Sequence, residues 1–328
     1  MARPTILSNG RLLVGLNEEG LVQDFYFPYV GQSNMTNARY IEHKIGVSIN
    51  DDFCWVDEKD WDISWKYEDD ALVGIVTYSH KKHSIKIDSK VFVDAYDDTY
   101  CRIFSVQNTS NDELTIKLFM HQVFHISANG RADSALYVPS KTPYILTYRG
   151  NTALATSARI ENGEFFNQYA VGIYEQDGSR GTYMDAEDGK LSMNPVEHGA
   201  VDSVVACEFS LAADSSTSVE YWTVATTKSY HDATAQHREI AHSGLSSRLE
   251  RTRHYWKRWL DKSSDKTKEI SDEYKKKIYL SLMLVKAHTD ERGGVLASSD
   301  SSIFNYGKDY YSYVWPRDAA YALSPLIK

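Results

Sequence analysis

The chain contains few cysteines and no long apolar stretch. Its 328 residues include three cysteines, Cys54, Cys101 and Cys207, which are widely separated and form no CxxC pair. Each lies beside apolar neighbours, so we predict buried, reduced thiols and not a disulfide framework or a metal site. No apolar run reaches the length of about 18 residues that a membrane helix needs, and the first residues lack a signal-peptide core. We therefore expect a cytoplasmic protein without a membrane partner. In such a protein the sequons at Asn34 and Asn108 are weak evidence for glycosylation.

Positive charge and nucleotide-binding motifs are also scarce. The chain has 36 Lys and Arg against 45 Asp and Glu, a formal net charge of −9, which argues against a nucleic-acid partner. It contains no P-loop, no G-x-G-x-x-G and no G-x-S-x-G, so we predict no cofactor and no hydrolase nucleophile elbow. Aromatic residues, in contrast, reach 12%, with 23 Tyr and 7 Trp. That content is typical both of large β-sheet cores and of stacking surfaces for sugars.

Residues 1–227 have the alternating pattern of β-strands. The stretch "ELTIKLFMHQVFHI" predicts a half-buried antiparallel strand. Lys117, His121 and His125 have one parity, and six apolar residues have the other: Leu114, Ile116, Leu118, Met120, Phe124 and Ile126. The same alternation or turn pattern recurs in "RLLVGLNEEGLVQDFYF", "KIGVSINDDFCWV", "HSIKIDSKVFVD", "NQYAVGIYE", "SVVACEFSL" and "SVEYWTVATT". Many strands at short spacing predict a mainly β fold, a large antiparallel β-sandwich.

Two pairs of histidines in this region resemble metal ligands only superficially. His121 and His125 are four residues apart, but on a strand that spacing separates them by about 13 Å. Neither belongs to an H-E-x-x-H motif. We therefore predict that this pair faces solvent and that His80 and His83 lie at a hairpin tip, with no metal site.

A helical pattern replaces the strands in residues 228–269. Apolar residues recur at spacings of three and four between Tyr230 and Leu260, which predicts one connector helix, and "DKSSDKTKE" follows as a linker. The buried stripe is predicted to contain Leu245, Leu249, Thr252, Trp256, Trp259 and Leu260. The basic residues around it are predicted to form a solvated face: Arg248, Arg251, Arg253, Lys257 and Arg258.

Residues 270–328 begin with a second helix. Acidic residues occupy the first turn of "SDEYKKKIYLSLMLVKAHTD", and Ile278, Leu282 and Val285 are predicted to be its buried side. One helical pair cannot cover Leu282, Leu284 and Val285 together. We therefore expect a partner chain, self-association or poor order in this segment.

The final segment, "YYSYVWPRDAAYALSPLIK", has the residue types of a sugar site. Asp318 can accept hydrogen bonds from two neighbouring hydroxyls, Arg317 can donate from a rigid fork, and Trp315 and Tyr311 supply aromatic surface. An ordinary structural role is the alternative, with Asp318 as a helix N-cap, Arg317 as a surface charge and the tyrosines in a core. The spacing alone favours that alternative.

The tail resembles a known family more closely than its spacing suggests. Gly293, Gly294 and "AS" at 297–298 match a G-x-x-x-A-S stretch, and "YSYVWPRD" at 311–318 matches Y-x-x-x-W-x-R-D. With the β-region and the helix ending in "YWKRWL", these features resemble glycoside hydrolase family 15, the glucoamylases, glucodextranases and related trehalases. The resemblance spans nearly the whole chain. It implies a β-supersandwich over 1–227, a connector over 228–269 and, over 270–328, the start of an (α/α)6 catalytic barrel.

The resemblance also implies a function. Arg317 and Asp318 would hold the hydroxyls of a terminal glucose, and Tyr311 and Trp315 would line the subsite. Family members hydrolyse α-glucans or α-glucosides with inversion, using two glutamates that lie downstream of W-x-R-D, about 6.5–9.5 Å apart.

The resemblance further predicts that the chain is an incomplete, inactive part of such an enzyme. The barrel needs roughly 200 residues, whereas 59 remain from residue 270 onward. Pro325 is expected to interrupt the helix that opens at Asp318. The expectation is therefore no catalytic residue in this chain, with a second chain or downstream segment supplying the rest. A trehalase, an inverting phosphorylase and a non-catalytic structural or sugar-binding module remain alternatives.

Overall fold

A computed structural model describes residues 4–36, 42–126, 132–262, 267–299 and 313–327. Within these ranges the chain forms eighteen strands and five helices. The strands are β1 (Thr5–Ser8), β2 (Leu13–Leu16), β3 (Val22–Tyr29), β4 (Gln32–Asn34), β5 (Lys44–Ile49), β6 (Asp52–Trp55), β7 (Trp61–Tyr67), β8 (Gly74–His80), β9 (Ile85–Val93), β10 (Thr99–Asn108), β11 (Leu114–Val123), β12 (Asp133–Val138), β13 (Tyr144–Arg149), β14 (Thr152–Ile160), β15 (Gln168–Ile173), β16 (Val196–Gly199), β17 (Val201–Leu211) and β18 (Ser216–Thr226). The helices are α1 (Tyr183–Ala186), α2 (Tyr230–Ser243), α3 (Leu245–Asp261), α4 (Asp272–Ala287) and α5 (Pro316–Ile327).

The strands form three antiparallel sheets. Their orders are β1-β2-β3-β4, β16-β12-β13-β14-β18-β10-β9-β8-β7 and β15-β17-β11-β5-β6. One continuous buried cluster contains side chains from all three sheets, including Phe25, Phe104, Leu118 and Trp222. Full burial of each such side chain contributes about 1.5–3 kcal/mol. The prediction of a mainly β, large antiparallel sandwich is confirmed.

The three cysteines are buried and unpaired, as predicted. Burial raises the pKa of the Cys54 thiol to about 11 and raises the pKa of Cys101 and Cys207 as well. Because the reactive form of cysteine is the thiolate, all three thiols are inert near neutral pH. They act as small apolar residues of the core.

Strand β11 departs from the half-buried strand that its alternation predicts. A second buried cluster covers the outer face of its sheet; its members are Trp55, Phe119, Ala170, Ala186, Leu191, Val204 and Ala206. Under this cover His121 is fully buried, with Nε2 2.9 Å from Asp202 Oδ2. His125 is mostly buried and lies 3.0 Å from Glu42 Oε1. The predicted solvent-facing pair is therefore wrong, because the residues that cover this face come from a distant part of the chain.

The other histidine pair lies where the pattern places it. His80 ends β8 and His83 precedes β9, so both belong to the turn of that hairpin. His83 Nε2 lies 2.8 Å from Asp52 Oδ2, and His80 Nε2 lies 3.5 Å from Cys54 Sγ. Among the described residues no three His, Cys, Asp or Glu side chains converge as metal ligands would.

The segment predicted as one connector helix is two helices. Gly244 separates α2 from α3 with a φ of 76°, a backbone conformation that favours glycine. Helix α2 packs on β14 and β18, and α3 packs on β10. The predicted apolar stripe of α3 is buried, with Trp259 partly so. The prediction of a single helix is wrong because a glycine with positive φ and extended ψ ends one helix and allows the next to begin at a new angle.

The basic face of α3 is also different from its prediction. Arg248 is only 3% exposed and donates to Asp94 Oδ2 at 2.9 Å and to Asp97 Oδ2 at 2.7 Å. Arg251 pairs with the same two carboxylates, and Arg253 Nε donates to Glu68 Oε2 at 2.9 Å. Lys257 and Arg258 are exposed, as predicted. Arg248 is buried, and Arg251 and Arg253 are partly buried, because their carboxylate partners lie on the β-sandwich, far away in sequence.

The buried face of helix α4 is adjacent to the face that the sequence predicts. Met283 and Ala287 are buried, and Tyr279, Leu280 and Leu284 pack against the main core. The predicted buried residues, Ile278, Leu282 and Val285, are only partly covered. Whether a partner chain or self-association covers this face stays a prediction.

Helix α5 starts at Pro316 and continues to Ile327 with Pro325 inside it. The expected interruption is therefore wrong. Pro325 lies near the C-terminal end of the helix, where the loss of one backbone donor affects few remaining hydrogen bonds. Helix α5 packs against α4. In the described part of the chain, no helix is long and apolar enough to cross a membrane.

We predict that Arg248→Met destabilises the protein by about 3 kcal/mol, because it leaves buried Asp94 with one fewer cationic partner. The midpoint of urea unfolding measures the change. Lys257→Met on the same helix is the matched control, since Lys257 is exposed; its effect should stay within about 0.5 kcal/mol. Equal effects of the two substitutions would contradict the role assigned to the buried ion pairs.

Candidate functional site

Three segments that are distant in sequence meet beside the four-stranded sheet. They are the tip of the β3–β4 hairpin, the loop after α4 and the residues that lead into α5. The Leu296 and Val314 backbones form a bridge, and Ala297 N donates to Tyr313 O at 3.0 Å. Tyr26 on β3 donates its hydroxyl to Ser299 O at 3.2 Å. The tail is therefore connected to the β-sandwich through the loop after α4.

Glycine allows the hairpin tip to approach this loop. Gly31 has a φ of 91°, which side chains of L-residues rarely adopt. A Cβ at this position would lie 2.5 Å from Leu296 Cδ1. Any larger residue would therefore displace Leu296 or move the hairpin away from the loop.

Asp290 holds the hairpin tip and the loop together. Its Oδ2 accepts from Val30 N at 3.1 Å, and its Oδ1 accepts from Arg292 N at 3.0 Å and Arg292 Nε at 2.7 Å. Burial alone would raise the pKa of Asp290, but the hydrogen bonds from Arg292 and Val30 outweigh it, and the pKa is lowered. A general acid needs a raised pKa, so this carboxylate is suited to holding the loop and not to donating a proton.

The predicted sugar-binding residues lie at the start of α5. The Trp315 carbonyl accepts from Ala319 N at 2.8 Å, so Asp318 lies within the first helical turn and is not the N-cap. The Arg317 and Asp318 side chains are 78% and 54% exposed, and Arg317 Nη2 lies 3.6 Å from Asp318 Oδ2. Tyr311, the fourth predicted residue, lies outside the described residues.

Trp315, Arg317 and Asp318 line an open hollow of about 450 Å³ together with Tyr313, Val314 and Pro316. The structure thus brings three of the four predicted residues to one surface. An aromatic ring, a guanidinium group and a carboxylate there can stack on a ligand, donate to it and accept from it.

A second hollow of about 440 Å³ adjoins the first and shares Tyr313 and Val314 with it. Its other walls include Tyr29, Gln32 and Arg292. Sequence reasoning did not select Tyr29 or Arg292 as site residues. The sequence feature that pointed to Tyr29 was the aromatic stretch "FYFPYVGQSN", in which Tyr29 is the last residue of β3 before the turn to β4.

A cavity inside the sandwich is unrelated to this surface. It measures about 20 Å³ and is lined by buried side chains that include His43, Arg102 and His121. Burial lowers the pKa of His43 to about 3, so this ring is neutral near neutral pH. The space suits a single water molecule and is too small for a sugar.

Comparison with known proteins identifies the family. The family model described as glucodextranase, domain N, matches residues 16–261, which is more than half of the chain. The chain belongs to the glucodextranase N-terminal domain family. The matched range runs from β2 to the last residue of α3. The resemblance predicted from the sequence is confirmed for this N-terminal portion. No curated protein matches the sequence.

Solved structures share the fold of this glucodextranase-type domain. A bacterial glucoamylase complexed with acarbose has a TM-score of 0.72 and 16% sequence identity, over 96% of this chain and 46% of that protein. A putative kojibiose phosphorylase from the human microbiome has a TM-score of 0.59 and 10% identity, over 90% of this chain and 41% of that protein. The chain therefore spans less than half the length of either structure.

At pH 7 we predict that Asp290→Asn lowers the free energy of unfolding by about 1–2 kcal/mol, because the hydrogen bonds from Arg292 and Val30 lose an ionised acceptor. The folded pKa of Asp290 lies below 3.8. The contribution of the carboxylate is therefore present above 3.8 and disappears as the pH falls through the folded pKa. Urea unfolding at neutral pH and near pH 3 should show a difference between the two proteins that narrows in acid.

Asp62→Asn is the control, because Asp62 is an exposed carboxylate with a surface ion pair to Lys81. Its effect should stay within about 0.5 kcal/mol at either pH. A difference between Asp290→Asn and the unaltered chain that is the same at both pH values would contradict the role of the ionised carboxylate.

Proposed function

We propose that the chain is the N-terminal part of an inverting, exo-acting α-glucoside hydrolase of the glucoamylase type and holds the terminal glucose of its substrate. The observation that carries this proposal is the grouping of Trp315, Arg317 and Asp318 around one open hollow. An aromatic face, a guanidinium fork and a carboxylate match the flat faces and hydroxyl groups of a neutral sugar. The family of the chain and its fold likeness to a glucoamylase complexed with acarbose support the same class.

In this proposal the chain is divided by role. Residues 1–227 are the β-sandwich domain, 228–269 the connector and 270–328 the start of a helical catalytic domain. Arg317 and Asp318 hold sugar hydroxyls, and Trp315 and Tyr311 line the glucose subsite. Neither catalytic glutamate is assigned to a residue of this chain, so a second chain or a downstream segment would supply them, and this chain alone would be inactive. No cofactor is needed for such a hydrolysis.

A trehalase of the same type uses the same glucose subsite, and an inverting phosphorylase is a further alternative. The fold likeness to a putative kojibiose phosphorylase supports the phosphorylase alternative. Hydrolysis is preferred because the tail carries the W-x-R-D pattern as Trp315, Arg317 and Asp318. A non-catalytic structural or sugar-binding module is the alternative from another class.

We predict that an active form, in which this chain is joined to a complete helical barrel, releases β-glucose from the non-reducing end of maltotriose. Inversion follows because a water molecule attacks the face opposite the leaving group. Proton NMR of the first product measures the anomer, and assays with and without inorganic phosphate serve as the control. Release of α-glucose would overturn the inverting mechanism, and an absolute requirement for phosphate would establish the phosphorylase instead.

We also predict that Asp318→Ala weakens the binding of maltose and trehalose to this 328-residue chain. Loss of an ionised acceptor for two hydroxyls costs about 2 kcal/mol, which is roughly 30-fold in Kd. Isothermal titration calorimetry measures the change, with Asp261→Ala, an exposed aspartate at the end of α3, as the matched control. No heat with any sugar would leave the chain a structural role, whereas equal binding by both variants would remove Asp318 from the site.

A further inference from the structure

We propose that the β3–β4 hairpin and the loop after α4 together form a second sugar subsite, built on Tyr29 of the hairpin and Arg292 of the loop, beside the hollow that contains Trp315. The inference rests on the proposed function for its ligand class. It adds that the β-sandwich itself contacts the substrate, through residues outside the W-x-R-D segment.

A stacked pair of side chains forms the floor of this subsite. The Arg292 Cζ atom lies 3.6 Å from the centroid of the Tyr29 ring, so the guanidinium group lies against the ring face. Tyr29 is 41% exposed. The pair therefore presents a broad aromatic and guanidinium surface to the solvent, as a platform for the apolar face of a sugar requires.

The guanidinium group is also held in one orientation. Its Nε donates to Asp290 Oδ1 at 2.7 Å. Within the described ranges, its two Nη groups make no hydrogen bond, so four N–H donors remain for a ligand. Gln32, exposed beside them in the same hollow, offers both a donor and an acceptor. A sugar hydroxyl needs both kinds of partner.

The hairpin is fixed before any ligand arrives. Val30 N is bound to Asp290, and Gly31 lies against the Leu296 side chain. Because these contacts already order the tip, ligand binding does not have to order it. A site on two strands that are joined to a neighbouring loop keeps its geometry better than a site on an isolated loop.

The charges favour a neutral ligand. Asp290 lies next to Arg292 and compensates its positive charge, and the pKa of Asp290 is lowered, so the carboxylate stays ionised at neutral pH. An anion such as phosphate would meet this carboxylate as well as the guanidinium group. The chain as a whole carries a net charge of −9, which disfavours anions further.

The two adjoining hollows indicate the length of the ligand. Both hollows share Tyr313 and Val314, so a ligand can extend from one to the other along a common wall. A single glucose fills only the hollow with Trp315. A glycan of two or more linked residues reaches Tyr29 and Arg292, which should make affinity depend on these residues only for the longer ligand.

Isothermal titration calorimetry of the 328-residue chain with maltotriose and with methyl α-glucoside tests this subsite. Tyr29→Ala and Arg292→Met should each weaken maltotriose binding by about tenfold and leave methyl α-glucoside binding unchanged. Tyr29→Phe keeps the ring and should retain the affinity for maltotriose. Tyr230→Ala is the matched control, because Tyr230 is 46% exposed and lines neither hollow. Thermal melting followed by circular dichroism checks that each variant folds.

The outcomes separate this subsite from the proposed function. Maltotriose binding that depends on Asp318 but is unaffected by Tyr29→Ala and Arg292→Met would overturn the subsite alone. An equal loss for both ligands, with a lowered melting temperature, would assign the two residues a structural role and also overturn it. No heat from either sugar with the unaltered chain would overturn both proposals. Binding of inorganic phosphate that is abolished by Arg292→Met would overturn the assignment of a neutral ligand.

Discussion

The ion pairs around the loop between β9 and β10 are the constraint on which the arrangement of sandwich and helices depends. Asp94 is fully buried in this loop and pairs with Arg248 and Arg251 of α3. A carboxylate without a partner would be costly there, so the helix must remain where its arginines reach the loop. The same loop accepts hydrogen bonds from Asn9 through the Asp94 and Asp97 carbonyls. The start of the chain and the connector helix are thereby held at one point.

This anchor extends to the candidate site. Asp98 in the same loop binds Arg11 at 2.9 Å, and Arg11 also binds Glu291, which lies next to Asp290. Glu291 N donates to Gly10 O at 2.8 Å. A continuous set of polar contacts therefore runs from α3 through the β-sandwich to the loop after α4. The β-sandwich thus sets the position of the loop against which the tail packs.

Three side chains were hard to place from sequence because the partner of each lies far away along the chain. Arg248 has the spacing of a solvated helix face, and only the folded position of Asp94 makes its burial possible. His121 has the parity that the alternation of β11 assigns to solvent, yet Asp202 binds it beneath a second apolar cluster. Tyr29 belongs to an aromatic strand end, and its contact with Arg292 exists only because Gly31 lets the hairpin approach Leu296.

The sequence by itself determined the kind of elements and the chemistry of the tail. Alternation of apolar residues produces strands because successive side chains point to opposite faces, and spacings of three and four produce the helices. The ability to stack on a ligand, donate to it and accept from it belongs to the side chains of Trp315, Arg317 and Asp318 wherever they lie in the fold. The tertiary structure alone decided which polar residues are buried and which loops share a surface with that tail. The reason is physical: local periodicity reports the geometry of one element, whereas burial and ion pairing depend on elements that meet only after folding.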